Sequence, residues 1–131
     1  MLTRPMPPET LHQHIRLAWR RYVVPVLADR NVDGLLAALV VADTSLDDVL
    51  YAEGYTGETV CERLHQAMHS FSNFPAVLAG HQIRNRIVHH LDYHLCLEGG
   101  VAALSAYRRA LWEHGVNLNV ASARGHSSVA A

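Results

Sequence analysis

The sequence predicts an all-α fold, a compact bundle of about five helices, and three observations carry that prediction. Apolar residues recur at three- and four-residue spacing through most of the chain. No segment alternates with period two for long enough to be a strand, and glycines, prolines and capping residues fall at helix-length intervals. With 131 residues, half of them apolar, the chain has the length of one domain and can bury a modest core.

Residues 1–8 contain three prolines and read as an irregular start. A first helix opens near Glu9, after Pro7-Pro8, where an acidic side chain suits the positive end of the helix dipole. Its stripe is Leu11, Ile15, Ala18, Trp19, Tyr22, Val23 and Val26, and Pro25 kinks or ends it. Asn31 or Asp33 caps a second helix with the stripe Leu35, Leu36, Leu39, Val40, Leu46, Val49 and Leu50. Gly54-Tyr55-Thr56-Gly57 breaks the chain, and Thr59 with Glu62 makes a capping box for a third helix to about Met68. Ser72-Asn73-Phe74-Pro75 starts a fourth, running from Pro75 to His89 or His90. After a turn at Asp92-Tyr93, a fifth carries Val101, Leu104, Tyr107, Ala110 and Leu111, with Gly115 as its C-terminal cap. The helical domain is therefore expected over residues 9–115, with a flexible tail at 116–131.

Composition narrows the function classes. A formal net charge of −1 argues against a protein that binds nucleic acid non-specifically through an overall basic field, and no DNA partner is expected; a local positive patch stays compatible with it. All 11 basic residues are arginine, which base composition of the coding sequence explains. Cys61 and Cys96 lack the spacing of a metal knuckle or disulfide framework. The longest apolar run, Leu35 to Ala42, is too short to span a bilayer, and no basic-then-apolar leader opens the chain, so a cytoplasmic protein without membrane association is expected.

Ten histidines in such a chain need separate reading. His65 with His69, and His90 with His94, have the four-residue spacing that can offer two imidazoles to zinc, but no carboxylate or thiolate completes a ligand pattern, and no metal is expected. His12, His14, His114 and His126 fall on polar faces or in the tail and read as solvated. The fourth helix differs. His81, Asn85 and His89 form one stripe with Arg84 beside it, on a helix that otherwise buries Val77, Ile83 and Ile87. Polar groups so placed need partners. Two readings follow: Arg84 ties this helix to Asp43 or Asp47 of the second, or the cluster is a site.

The run Arg84-Asn85-Arg86-Ile87-Val88-His89, late in a helix of a small all-α domain, resembles the signature of HEPN domains. Flanking blocks add to the likeness: Ala42-Asp43 with Leu46-Asp47, Gly54 to Thr59 leading to Glu62-Arg63-Leu64, Asp92-Tyr93-His94-Leu95, and Tyr107-Arg108-Arg109-Ala110-Leu111. The resemblance spans roughly residues 10–115. His90, Cys96 and Gly99-Gly100 depart from the pattern, and Leu91 stands where relatives modified by a partner nucleotidyltransferase carry tyrosine, with Tyr93 the nearest candidate.

The resemblance implies an endoribonuclease of toxin or defence type that needs no metal or cofactor and acts as a homodimer, its partners being RNA and a cognate antitoxin or nucleotidyltransferase. The residue types suit that reaction. The 2′-hydroxyl of RNA is the nucleophile, so the protein must move protons and stabilise phosphorane charge. An imidazole such as His89 can act as acid or base near neutral pH, and the Arg84 fork matches two phosphate oxygens. Asn85 would orient the imidazole or touch the sugar. Arg86, His81 and His90 are the candidate substrate contacts. One histidine cannot easily be acid and base together, and a two-fold dimer would supply the second. The alternative is a non-catalytic domain that binds nucleotide or RNA, or only dimerises.

Overall fold

The computed structural model describes residues 7–90 and 94–119, and these form an all-α bundle. The helices are α1 (Pro8–Ala18), α2 (Val24–Asp29), α3 (Leu35–Ala52), α4 (Val60–Gln66), α5 (Phe74–His89) and α6 (Leu97–Glu113). A π-helical turn, Trp19–Val23, joins α1 to α2, so the two make one bent rod and the bundle has five rods. Pro25 supplies the reason for the bend. It cannot donate to the i−4 carbonyl and its ring crowds that oxygen, so the turn before it widens and the helix resumes with proline in its first turn. The rod ends at Arg30, whose left-handed φ of 52° closes it.

The caps follow the side chains named above. Asn31, rather than Asp33, accepts the Asp33 amide at 2.9 Å and starts a 3-10 turn (Val32–Gly34) that leads into α3. Thr59 accepts the Glu62 amide at 3.1 Å, and Glu62 reaches back to the Glu58 amide at 2.8 Å. Asn73 accepts the Ala76 amide and opens α5.

The two ends of α6 compare differently with the sequence reading. The helix begins at Leu97, where the resemblance places a capping Ser or Thr at Cys96, and the Cys96 thiol fills that role by accepting the Gly99 amide at 3.3 Å. Gly100 is a packing position: a Cβ there would lie 2.4 Å from Leu35 Cδ2, so only glycine lets α6 cross α3 this closely. At the other end, Gly115 with φ 88° forms a Schellman turn, Gly115 N–H to the Trp112 carbonyl and Val116 N–H to that of Leu111. Val116 is fully buried and Leu118 packs on the core, so the domain extends past residue 115 instead of ending in a tail there. The remainder of the predicted tail, 120–131, lies outside the described residues.

α3 is the central rod. Leu35, Ala38, Leu39, Ala42, Leu46, Val49 and Leu50 are all buried, and α1, α4, α5 and α6 pack around them. Its neighbours α5 and α6 run antiparallel, and between these three helices lies the polar group described next. No helix among the described residues is long and apolar enough to cross a membrane.

Candidate functional site

Asp43 on α3 is buried, its side chain 4% exposed. Placing a carboxylate there is unfavourable unless donors surround it. Oδ1 accepts the Tyr107 hydroxyl from α6 at 2.6 Å and His81 Nδ1 from α5 at 2.9 Å. Tyr107 reaches Asp43 by passing Gly80, where a Cβ would lie 3.0 Å from the ring. Burial, then the charge and hydrogen bond of Asp43, push the Tyr107 hydroxyl far above its ordinary range, so it remains a donor.

From Asp43 the network runs outward along α5. Arg84 Nη1 donates to Asn85 Oδ1 at 3.1 Å, and Asn85 Nδ2 lies 3.2 Å from His81 Nε2. Donor chemistry alone orders these bonds. Guanidinium cannot accept, so the Asn85 oxygen must face Arg84 and its amide NH₂ must face His81. His81 Nε2 therefore accepts, Nδ1 carries the hydrogen, and that hydrogen goes to Asp43. The result is a single directed chain, Arg84 to Asn85 to His81 to Asp43, met from the other side by Tyr107. Arg84 Nε also approaches Asp43 Oδ2 at 3.6 Å, an ion-pair contact too long for a hydrogen bond, and is buried with no hydrogen-bond partner.

Arg84 thus pairs with Asp43, one of the two carboxylates expected from spacing. The other, Asp47, is taken by Arg63 in a two-pronged contact at 2.6 and 2.9 Å. The stripe His81, Asn85, His89 also changes environment along its length. His81 is 5% exposed, Asn85 is half-buried, and His89 stands in solvent in the last turn. Arg86 and His90 are exposed on the neighbouring face, with His90 the residue that ends α5. Of the expected substrate contacts, Arg86 and His90 are open to solvent, whereas His81 has both ring nitrogens committed to protein partners and works inside the fold. Leu91, Asp92 and Tyr93, which bear on control by tyrosine modification, lie outside the described residues.

The first histidine pair is divided between two elements. His65 lies in α4 with Nδ1 2.9 Å from the Cys61 carbonyl oxygen, and His69 lies in the 3-10 turn that follows. Among the described residues no group of three or more His, Cys, Asp or Glu is placed to hold a metal.

His114 corrects the expectation that it is solvated. Its side chain is 6% exposed, with Nδ1 2.6 Å from Glu53 Oε1 and Nε2 2.7 Å from Ser70 Oγ. The spacing imitates a Ser-His-carboxylate triad, but the Ser70 hydroxyl donates to the Ala67 carbonyl at 2.6 Å. His114 thereby clasps three elements, joining the end of α6 to the end of α3 and to the 3-10 turn after α4. The Schellman turn at Gly115 creates this contact by ending α6 over the last turn of α3, and no local sequence signal announces it.

No family model, curated protein or solved structure matches this chain.

Proposed function

We propose that the chain is a HEPN-type, metal-independent endoribonuclease whose site is completed by a second copy across a two-fold axis. The observation that carries this reading is the directed chain from Asp43 through His81 and Asn85 to Arg84, with His89 in solvent one turn beyond Asn85. A buried anchor that fixes an arginine on the same helix as an uncommitted imidazole in its last turn suits a phosphoryl site, because catalysis of this kind rests on preorganised charge and positioned proton carriers.

In the reaction, the His89 imidazole of one copy takes the 2′-hydroxyl proton as that oxygen attacks phosphorus. The bond from phosphorus to the 5′-oxygen breaks, and the second copy's imidazole returns a proton to the leaving oxygen. The products are a 2′,3′-cyclic phosphate and a 5′-hydroxyl. Arg84 stabilises the equatorial oxygens, and Arg86 and His90 meet the flanking backbone. A toxin or defence role, with an antitoxin or nucleotidyltransferase as partner, belongs to the same proposal.

The test is cleavage of single-stranded RNA in excess chelator, with the ends identified. Cyclic phosphate ends, lost in both Arg84→Ala and His89→Ala, are expected. Cleavage that survives both substitutions overturns the assignment. One observation favours a second reading: Arg84 Nε is buried facing Asp43, so part of the guanidinium serves the fold. A non-catalytic domain would bind RNA or nucleotide without turnover and keep that binding when His89 is replaced.

A further inference from the structure

The solvent side of α6 carries a second cluster, separate from the α5 motif. Ser105, Arg108, Arg109 and Trp112 recur at three- and four-residue spacing and share one face. The turn at Gly115 folds the chain back beside that face, so that Asn117 and Asn119 line the opposite wall of a groove of about 400 Å³. Two further depressions adjoin it. One of about 420 Å³ shares Arg108, Leu118 and Asn119, and one of about 330 Å³ shares Ser105 and Arg109. The three make one track across the molecule, with the two arginines standing where the segments meet.

The side chains in this track have a common chemistry. Trp112 is 57% exposed, a large indole face left in water at the groove rim. Arg108 donates to the Asn119 side chain, which steadies the guanidinium without neutralising it, and among the described residues it enters no ion pair. Arg109 is paired with Glu113 at 3.3 Å, which leaves the track one positive charge in excess. A flat π surface, a cationic fork one helical turn away and amides that can meet base edges together match a nucleotide. The continuity of the track beyond one nucleotide's length favours a strand over a free nucleotide.

We propose that this groove binds single-stranded RNA, with a base stacked on Trp112 and its phosphate on Arg108. Because α5 and α6 run antiparallel, the groove lies at the end of the bundle remote from His89, about 20 Å along the helix axis at 1.5 Å per residue. It would hold a strand whether or not the Arg84–His89 site cuts it.

The experiment uses the full chain carrying Arg84→Ala and His89→Ala, so that no strand is cut. A ten-nucleotide oligouridylate, uridine monophosphate and an inorganic polyphosphate are titrated against tryptophan fluorescence. Trp112 is the exposed indole, and because the buried Trp19 borders the adjoining depression, a parallel titration of the Trp112→Phe variant assigns the signal to Trp112. The oligonucleotide is expected to quench and to bind at least fivefold more tightly than either other probe. Arg108→Gln should weaken binding about fivefold and lower the salt slope by about one. Trp112→Ala, followed by anisotropy of a labelled oligonucleotide, should weaken it about tenfold, and Trp112→Phe should retain most of the affinity. Thermal unfolding checks that these surface variants fold. Polyphosphate binding as tightly as RNA, uridine monophosphate binding as tightly as the strand, or affinity indifferent to both residues overturns the proposal. Since cleavage is absent by design, failure here leaves the ribonuclease reading standing, and loss of that reading leaves the groove standing.

Discussion

Asp43 and Arg84 approach one another, yet the two residues have unequal weight in the fold. Asp43 accepts two short hydrogen bonds from buried donors and is 4% exposed, whereas Arg84 is 27% exposed and 3.6 Å away. Asp43→Ala strands the Tyr107 hydroxyl and His81 Nδ1–H without an acceptor, and the expected cost is about 3–5 kcal/mol. Arg84→Ala removes a longer, partly solvated contact, and about 1 kcal/mol is expected. Urea unfolding of the two variants measures the contrast; equal losses would mean that Arg84 is chiefly a structural residue, to the detriment of the ribonuclease reading. Spacing on two helices identified the Arg84 partner only as Asp43 or Asp47, because residues four apart share a helix face. What separates them is Arg63, which occupies Asp47 from α4, and Tyr107, which is 64 residues from Asp43. Neither relation has a local signature. His81 was legible as a member of the polar stripe, but its depth depends on where α5 leaves the core.

Helix existence was legible from periodicity, and helix ends were legible where a standard oxygen-bearing cap stands. Thr59 accepts the Glu62 amide its capping box implies, and Asn73, one of the two polar residues of the next start signal, caps α5. The start of α6 was placed at Cys96 only through the resemblance, because a thiol is an uncommon cap and two glycines lower helix propensity. Gly100 makes sense only against Leu35, a residue 65 positions earlier, since local propensity carries no information about a crossing point. Gly100→Ala would normally strengthen a helix by about 1 kcal/mol. Here the added methyl meets Leu35 Cδ1, Cδ2 and Cγ at 2.8, 2.4 and 2.8 Å. Overpacking of this kind costs about 1–3 kcal/mol, so net destabilisation is expected from denaturant midpoints. A midpoint that rises would mean that Leu35 relaxes at no cost and that the α3–α6 crossing tolerates a side chain. Pro25 gives the complementary case, where the break was foreseen but the π-helical turn that carries the rod through it was not.

At the scale of the whole molecule, the proposed chemistry asks for two proton carriers, and one chain offers His89 with His90 at the end of one helix while His81 is committed internally. A two-fold pairing of α5 ends would bring two His89 imidazoles and two Arg84 forks together and would cover Val88, which is 45% exposed on the same helix. Composite sites of this kind make activity depend on association. Cleavage rate per chain should therefore be constant above the dimer dissociation constant and fall in proportion to protein concentration well below it. Val88→Asp, which puts a charge into the proposed contact, should shift sedimentation to the monomer and lower activity at least tenfold at micromolar protein. Its thermal midpoint should stay within a few degrees, because the position is solvent-exposed in the single chain. A rate per chain independent of dilution, or a monomeric Val88→Asp variant with full activity, would place the whole reaction within one chain and make His90 the second proton carrier to test.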